Sequence, residues 1–366
     1  MNKKDFVVTP YEPAAHKSAL LQFLGAVYPP GVLKRRELVL DWIHEHHPHR
    51  DMVPLRYVIM DGDRVAATMG HLPADFLVNG QPTPVRFTHD LLVDPSYRGQ
   101  GLAKLIVGNS LAGGDFLPGG MWMTVPCYKI HLACGFDDAS PLVTRTLVLD
   151  PDAVVRRKQL PAIKRWLSKP VLRLLRARSL ARAGKLADHR NTHCDTLVAG
   201  EFDPEWDGTW RGMLEGYGIG MIRNAEYLNW KYAHHPVLNY RIRLAERGGR
   251  MTGYIISRLA PEQADEKRSV ITDFLVENGD AKTLETLVAH VIIEASEAGM
   301  EVVSVLTTQT WAATTLRGFG FVPRKESHTW VVGGWKGHIP EGWIADHEQW
   351  HMCSGDSDGD LWTGSA

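Results

Sequence analysis

The chain has 366 residues, 44% hydrophobic and 23% charged, with a formal net charge of −1. That describes an ordinary globular protein of two or three domains, and it gives no electrostatic reason to expect nucleic acid as a partner. Four cysteines without a Cys-x-x-Cys pair, no apolar leader after Met1 and no long apolar run fit a reducing cytoplasm and argue against a disulfide framework.

In chain order, a short strand is expected over 5–8. An amphipathic helix follows, carrying Leu20, Leu21, Phe23 and Leu24 and ended by Pro29-Pro30. A second helix is expected over 38–43. Leu55 to Met60, the turn Asp61-Gly62-Asp63 and Arg64 to His71 form a hairpin; Pro73 to Val78, Asn79-Gly80 and Pro84 to Val93 form another. A strand at 121–125, a helix from Tyr128 to Cys134 stopped by Gly135, and a strand at 142–149 complete the first half.

The stretch Leu91 to Ala103 carries the chemistry. Its apolar run stops at Asp94-Pro95, a polar turn holds Arg98, Gly99 and Gly101, and a helical pattern begins at Leu102. Glycines let the backbone bend and a ligand approach it. The free N–H groups of a helix start, its dipole and an arginine suit a phosphate or pyrophosphate. Neither a Walker loop nor a Gly-x-Gly-x-x-Gly fingerprint is present.

Arg98-Gly99-Gln100-Gly101-Leu102-Ala103 resembles the acetyl-coenzyme A loop of the GNAT acyltransferases, Arg/Gln-x-x-Gly-x-Gly/Ala, and Leu91-x-Val93-x-Pro95 fits that family's preceding strand. The resemblance implies acetyl-coenzyme A as co-substrate, bound by Leu92, Val93 and Arg98 to Ala103. It also implies that this strand splays from its neighbour, so that backbone groups near Leu92 and Val93 hold the pantetheine arm. The family's general acid is commonly a Tyr four residues before Gly-Phe. Here that position, before Gly135-Phe136, is His131, with Tyr128 one helical turn earlier on the same face. Both are acid candidates. For a base, only one of His89 and Asp90 is expected to face the cleft, because adjacent strand residues face opposite sides. Asp90 has a counterpart, Asp273, in the second half, which suggests a structural role, so His89 is preferred; many family members deprotonate through water instead.

The second half repeats the first. Leu40-Asp41-Trp42 through His47-Pro48 matches Leu228-Asn229-Trp230 through His235-Pro236, offset by 188. Asp90-Leu91-Leu92-Val93 matches Asp273-Phe274-Leu275-Val276, and Cys134-Gly135-Phe136 matches Phe319-Gly320-Phe321. The second copy is shorter at the loop and offers Glu277 and Asp280 in place of an arginine, which predicts that it has lost the cofactor.

The expected architecture is α+β: two GNAT-like domains, each a mixed, mostly antiparallel sheet flanked by helices. The first, binding acetyl-CoA, spans 1–150. A basic helical linker occupies 151–192, the degenerate domain 193–336 and a tail 337–366. Residues 154–190 hold twelve Lys and Arg against one acid, Asp188, interleaved with Trp166, Leu167, Val171, Leu174 and Leu175. This reads as an amphipathic helix packed on both domains, or as a weak contact with an anionic membrane surface.

His44-Glu45-His46-His47-Pro48-His49 lacks the His-Glu-x-x-His spacing, and its His-His-Pro recurs in the second copy, so no metal is assigned. The tail's Asp356-Ser-Asp358-Gly-Asp360 is too short for a calcium loop. The expected function is N-acetyl transfer to a primary amine of a small molecule. The alternatives are an amino-sugar or peptidoglycan-precursor acyltransferase near the membrane and a non-catalytic acyl-coenzyme A sensor. Mycothiol synthases share the tandem plan without settling the acceptor.

Overall fold

The computed structural model describes residues 5–112, 116–157, 162–188, 193–260, 266–277 and 279–358. The first half runs β1 (Val8–Pro10), α1 (Pro13–Val27), α2 (Pro30–His46), β2 (Arg56–Asp61), β3 (Arg64–Val78), β4 (Gln81–Val93), α3 (Leu102–Ala112), β5 (Leu117–Met121), α4 (Val125–Ala133), β6 (Asp137–Asp138) and β7 (Leu142–Val148). The connection holds α5 (Pro151–Arg157) and α6 (Ala162–Ala187). The second half runs β8 (Asp195–Ala199), α7 (Trp210–Leu214), β9 (Ile219–Met221), α8 (Ala225–Leu228), β10 (Tyr240–Arg247), β11 (Arg250–Leu259), β12 (Arg268–Val276), α9 (Ala281–Glu297), β13 (Val302–Leu306), α10 (Thr310–Gly318), β14 (Val322–His328), β15 (Trp330–Val332) and β16 (Trp350–His351).

These strands build two mixed sheets flanked by helices, the α+β arrangement expected. The sheets do not divide at residue 150. One is ordered β1-β2-β3-β4-β5-β15-β6, with β9 added to the far end of β3 and β16 to β9; the other is β14-β7-β13-β12-β11-β10-β8. The last strand of each repeat has crossed into the other's sheet: β7 lies between β13 and β14, and β15 lies between β5 and β6. A domain ending at 150 therefore excludes a strand of its own sheet and claims one of its neighbour's.

The two copies meet about a pseudo-two-fold axis. The rings of Trp42 and Trp230 stack with centroids 4.2 Å apart and planes 5° off parallel. Around them the contacts are reciprocal, Trp230 on His47 at 4.2 Å and Trp42 on His235 at 4.7 Å. The repeated His-His-Pro element also caps a turn twice. His47 Nδ1 accepts from the His49 N–H at 2.9 Å, and His235 Nδ1 accepts from the N–H groups of Val237 and Leu238 at 3.1 and 2.9 Å. One apolar core runs through both halves, from Val39 and Trp42 to Trp330, Trp335 and Trp350 of the C-terminal stretch. Within that stretch residues 350–357 are buried.

Two local departures from the expected elements have clear causes. Pro73 does not break its strand, and β3 is continuous for 15 residues. Along β3 the pairing with β2 ends at Gly70 and that with β9 begins at Phe76, so the missing N–H of Pro73 falls where β3 has no second partner strand. β5 lies at 117–121, earlier than expected, and contains Gly119 and Gly120. A Cβ at Gly119 would come 3.1 Å from the Phe87 ring, so glycine is what lets these strands close. Trp122, at φ +60°, then ends β5.

α6 packs on α9: Ala183 is buried, Arg182 pairs with Glu285 at 2.6 Å and the Ser179 hydroxyl donates to the Phe319 carbonyl. Lys169 and Arg173 both pair with Asp152 at 2.7 Å. Val171, Leu174 and Leu175 are exposed. Among the described residues no helix is long and apolar enough to cross a membrane.

Candidate active site

β4 is the axis of the site. It pairs in parallel with β5 only from Val85 to Phe87 and then continues alone to Val93, so the two strands splay and the β5-facing backbone of 88–93 is left open. On its other side β4 pairs with β3, with a bulge where Thr68 and Gly70 face Leu92 and His89. Asp90 sits in the bulge at φ +48°, a conformation costly for residues other than glycine and asparagine. Its carboxylate is held by Arg36 at 2.8 Å and Arg56 at 3.4 Å. Burial alone would raise the Asp90 pKa, but hydrogen bonding from His89 and the charges of Arg36 and Arg56 outweigh it and hold the carboxyl well below its usual range.

At the end of β4 the chain turns tightly. The Asp94 side chain accepts from the Ser96 N–H at 2.8 Å, and the Tyr97 hydroxyl donates to Asp61 at 2.8 Å, which pins a single 3-10 turn. Gly99 and Gly101 follow at φ +79° and +86°. The first backbone N–H bonded back into α3 is that of Leu105, to Gly101 O at 3.0 Å. Arg98 to Gly101 is exposed, and a Cβ at either glycine would meet no atom within 4 Å, so the glycines are required by backbone angle and not by crowding. The loop is an open cradle of N–H groups beside a cation, which fits the pyrophosphate of a coenzyme A.

The equivalent place in the second repeat is closed. The Asp280 side chain accepts from Thr283 N–H at 3.1 Å and from its hydroxyl at 2.7 Å, capping α9 internally, and Glu277 pairs with Arg250.

Where the first splay opens, a cavity of about 170 Å³ is lined by Thr88, His89, Asp90 and Leu91 of β4, by Met121 at the end of β5 and the three residues after it, by Cys127 and His131 of α4, and by Asp358. His89 and Asp90 both line it, and His89 Nδ1 is 3.6 Å from Asp90 Oδ2. This corrects the expectation that only one of the two could face the cleft, because the bulge suspends strand alternation. The His89 ring packs over Gly70, where a Cβ would lie 2.3 Å from it.

His131 is fully buried. Its Nδ1 is 2.9 Å from the Cys127 carbonyl and its Nε2 is 3.2 Å from the Thr88 hydroxyl. Burial lowers its pKa below 6.5, with the carbonyl opposing, so the protonated acid considered from sequence is disfavoured. Nδ1 faces the Cys127 carbonyl at 2.9 Å and the Cys127 thiol at 3.7 Å; a proton on Nδ1 satisfies the carbonyl and leaves Nε2 as an acceptor for the Thr88 hydroxyl, which also has the Gly119 carbonyl within 3.3 Å. Tyr128 is not among the residues lining the cavity. Hydrogen bonding with Asp138 raises its pKa. Asp358 was missed: nothing local in its sequence tells that the second half returns to the first cleft.

Residues 19–112 match the model of a family described as "Acetyltransferase (GNAT) family". Among solved structures, a GCN5-related N-acetyltransferase from Anabaena variabilis ATCC 29413 is similar at 13% identity and a TM-score of 0.58, over 90% of this chain and 72% of that one. Saccharomyces cerevisiae N-myristoyltransferase with bound myristoyl-CoA aligns at 12% identity and TM-score 0.56, over 91% and 83%. A probable N-acyltransferase from Enterococcus faecalis V583 aligns at 10% and 0.54, over 90% and 72%. At such identities the likeness is one of fold. No curated protein matches the chain significantly.

Proposed function

We propose that this chain, whose residues 19–112 match the GNAT family model, is a GNAT-type acyltransferase that moves an acyl group, acetyl in the first instance, from acyl-coenzyme A to a primary amine of a small molecule. The observation that carries the proposal is the succession along the chain of open loop, splayed strand and a cavity where the splay begins: Arg98 to Ala103 for the pyrophosphate, Leu92 and Val93 for the pantetheine arm, and the cavity for the reacting ends. Acyl-coenzyme A supplies an activated thioester, so the protein need only position and move protons.

His89 is the proposed base, taking the amine proton directly or through water. His131, neutral, orients the Thr88 hydroxyl within the cavity. A reducing cytoplasm is the proposed setting. The exposed Val171, Leu174 and Leu175 of α6 beside Arg176 and Arg178 favour a weak, reversible contact with an anionic membrane surface, and with it the second reading, an acceptor presented at a membrane.

The test is free-thiol release from acetyl-coenzyme A over a broad panel of primary amines. Turnover with at least one amine, lost in Gly101→Glu, is expected. Coenzyme A binding without thiol release across the panel would instead make the protein a sensor.

A further inference from the structure

The splay of the first repeat closes on one side chain. β4 and β5 stay paired from Val85 with Leu117 to Phe87 with Gly119, so Thr88 and Gly120 are the first residues past the last pair and mark where the strands part. Gly120 has no positive φ, so space alone decides what can stand there. A Cβ on it would run into the Met123 methyl and lie 2.9 Å from the Thr88 hydroxyl. The end of the Met123 side chain therefore lies over Gly120, close to Thr88, at the bottom of the opening. Both Met123 and Thr88 line the cavity.

Met123 is turned back onto β5 by its neighbour and held there by the second half. Trp122 stands at φ +60°, which for a bulky residue persists only where the surroundings impose it. The start of the exchanged strand β15 imposes it here. Trp330 pairs with Met121, the Trp122 N–H donates to the Thr329 carbonyl at 3.0 Å, and the Thr329 hydroxyl donates to the Met123 carbonyl at 3.0 Å. Met123 also packs against the core of Leu102, Ile106 and Phe136, together with Leu91 and Val93 of the strand that leads to the loop. The second repeat fills the same place differently. β12 parts from β13 after Ile271, and the C-terminal stretch enters the opening, with the Ser354 hydroxyl 3.1 Å from the Thr272 carbonyl and Cys353 Sγ 3.8 Å from that of Phe274. In the first repeat Met123 takes only the bottom, and a cavity remains beside it.

We propose that Met123 sets the length of the acyl group and that the site is built for a short one, acetyl or propionyl. The inference rests on the transferase reading and adds the acyl class of its donor. A coenzyme A held at Arg98 to Ala103, with its arm on Leu92 and Val93, runs back along β4 from the loop. Its acyl group is then the part that reaches deepest, toward Thr88 and Gly120, and each further methylene meets the Met123 side chain. Methionine is unbranched and adaptable, so it fills the gap between two parting strands and can be pushed aside by a small change next to it.

The test uses the full chain with the best amine of the panel and, as donors, acetyl-, butyryl- and octanoyl-coenzyme A. The unaltered protein should use acetyl-coenzyme A best. Met123→Ala should raise kcat/KM for butyryl relative to acetyl by about tenfold or more, the scale on which an apolar pocket discriminates a methylene, while coenzyme A affinity by calorimetry stays within about twofold. Gly120→Ala should act the other way: the new Cβ drives the Met123 methyl toward the cavity, so turnover with acetyl-coenzyme A falls while coenzyme A itself still binds. Gly120→Ala combined with Met123→Ala should recover turnover, which a merely structural defect at Gly120 would not. An unchanged chain-length preference in Met123→Ala, an unaltered protein that prefers octanoyl-coenzyme A, or a double variant no better than Gly120→Ala refutes this inference and leaves the transferase reading intact. Absence of thiol release from every donor in the unaltered protein, with coenzyme A still bound, refutes both readings.

Discussion

Replacing Asp90 with asparagine separates charge from backbone shape at the centre of the site. Asparagine tolerates positive φ, so the bulge at +48° survives the change. What is lost is the counter-charge to Arg36, 2.8 Å away, and to Arg56, 3.4 Å away, whose side chains are only 10% and 4% exposed. Arg56 keeps the Thr68 hydroxyl at 3.2 Å, but a neutral neighbour cannot balance a buried guanidinium. Breaking a buried ion pair by removing one partner costs about 3–5 kcal/mol, and that is the expected loss in urea denaturation near neutral pH. The pH dependence follows from the depressed folded pKa of Asp90, against an unfolded value of 3.8. Its contribution is fully present above the unfolded value and fades as pH falls below it toward the folded value. The difference between the two proteins should therefore be level from about pH 7 to 5 and shrink in stronger acid. A loss below about 1 kcal/mol, the range of an exposed pair, would refute the claim that Asp90 is the buried keystone of the bulge.

Two other predictions concern the assembly. Trp42→Ala and Trp230→Ala should be coupled in a double-mutant cycle by about 0.5–1.5 kcal/mol beyond lost burial, because the two rings stack on the pseudo-axis; strict additivity would deny that contact. For α6, vesicles containing anionic lipid should bind the protein weakly and release it as salt rises; binding to neutral vesicles alone, or none, would remove the membrane reading.

The turn from Asp94 to Gly101 and the start of α3 were legible in the sequence because their determinants are local: Asp94 to cap a turn, two glycines for positive φ and an apolar period that opens α3. The repeat was legible too, since Trp42-x4-His47-Pro48 and Trp230-x4-His235-Pro236 serve one turn used twice. The exchange of β7 and β15 was not. The sheet that receives each strand resembles the one it leaves, and nothing along the strand marks the choice. Pro73 misled because the vacancy beside it depends on where β2 and β9 end, far away in sequence. The pairing of His89 with Asp90 was hidden by the bulge. Asp358 could not be found from a run of Asp, Ser and Gly, because its position is set by Arg223 and Lys231 of the other repeat.

The central claim is that one repeat holds coenzyme A and the other has given it up. Calorimetric titration of the full chain with coenzyme A tests it most directly. One site per chain is expected, abolished by Gly101→Glu, which would bring a side chain and a negative charge into the cradle where φ is +86°. Arg98→Ala should weaken the same site by about 1.5–3 kcal/mol. Two equivalent sites, or an affinity untouched by Gly101→Glu, would contradict the account.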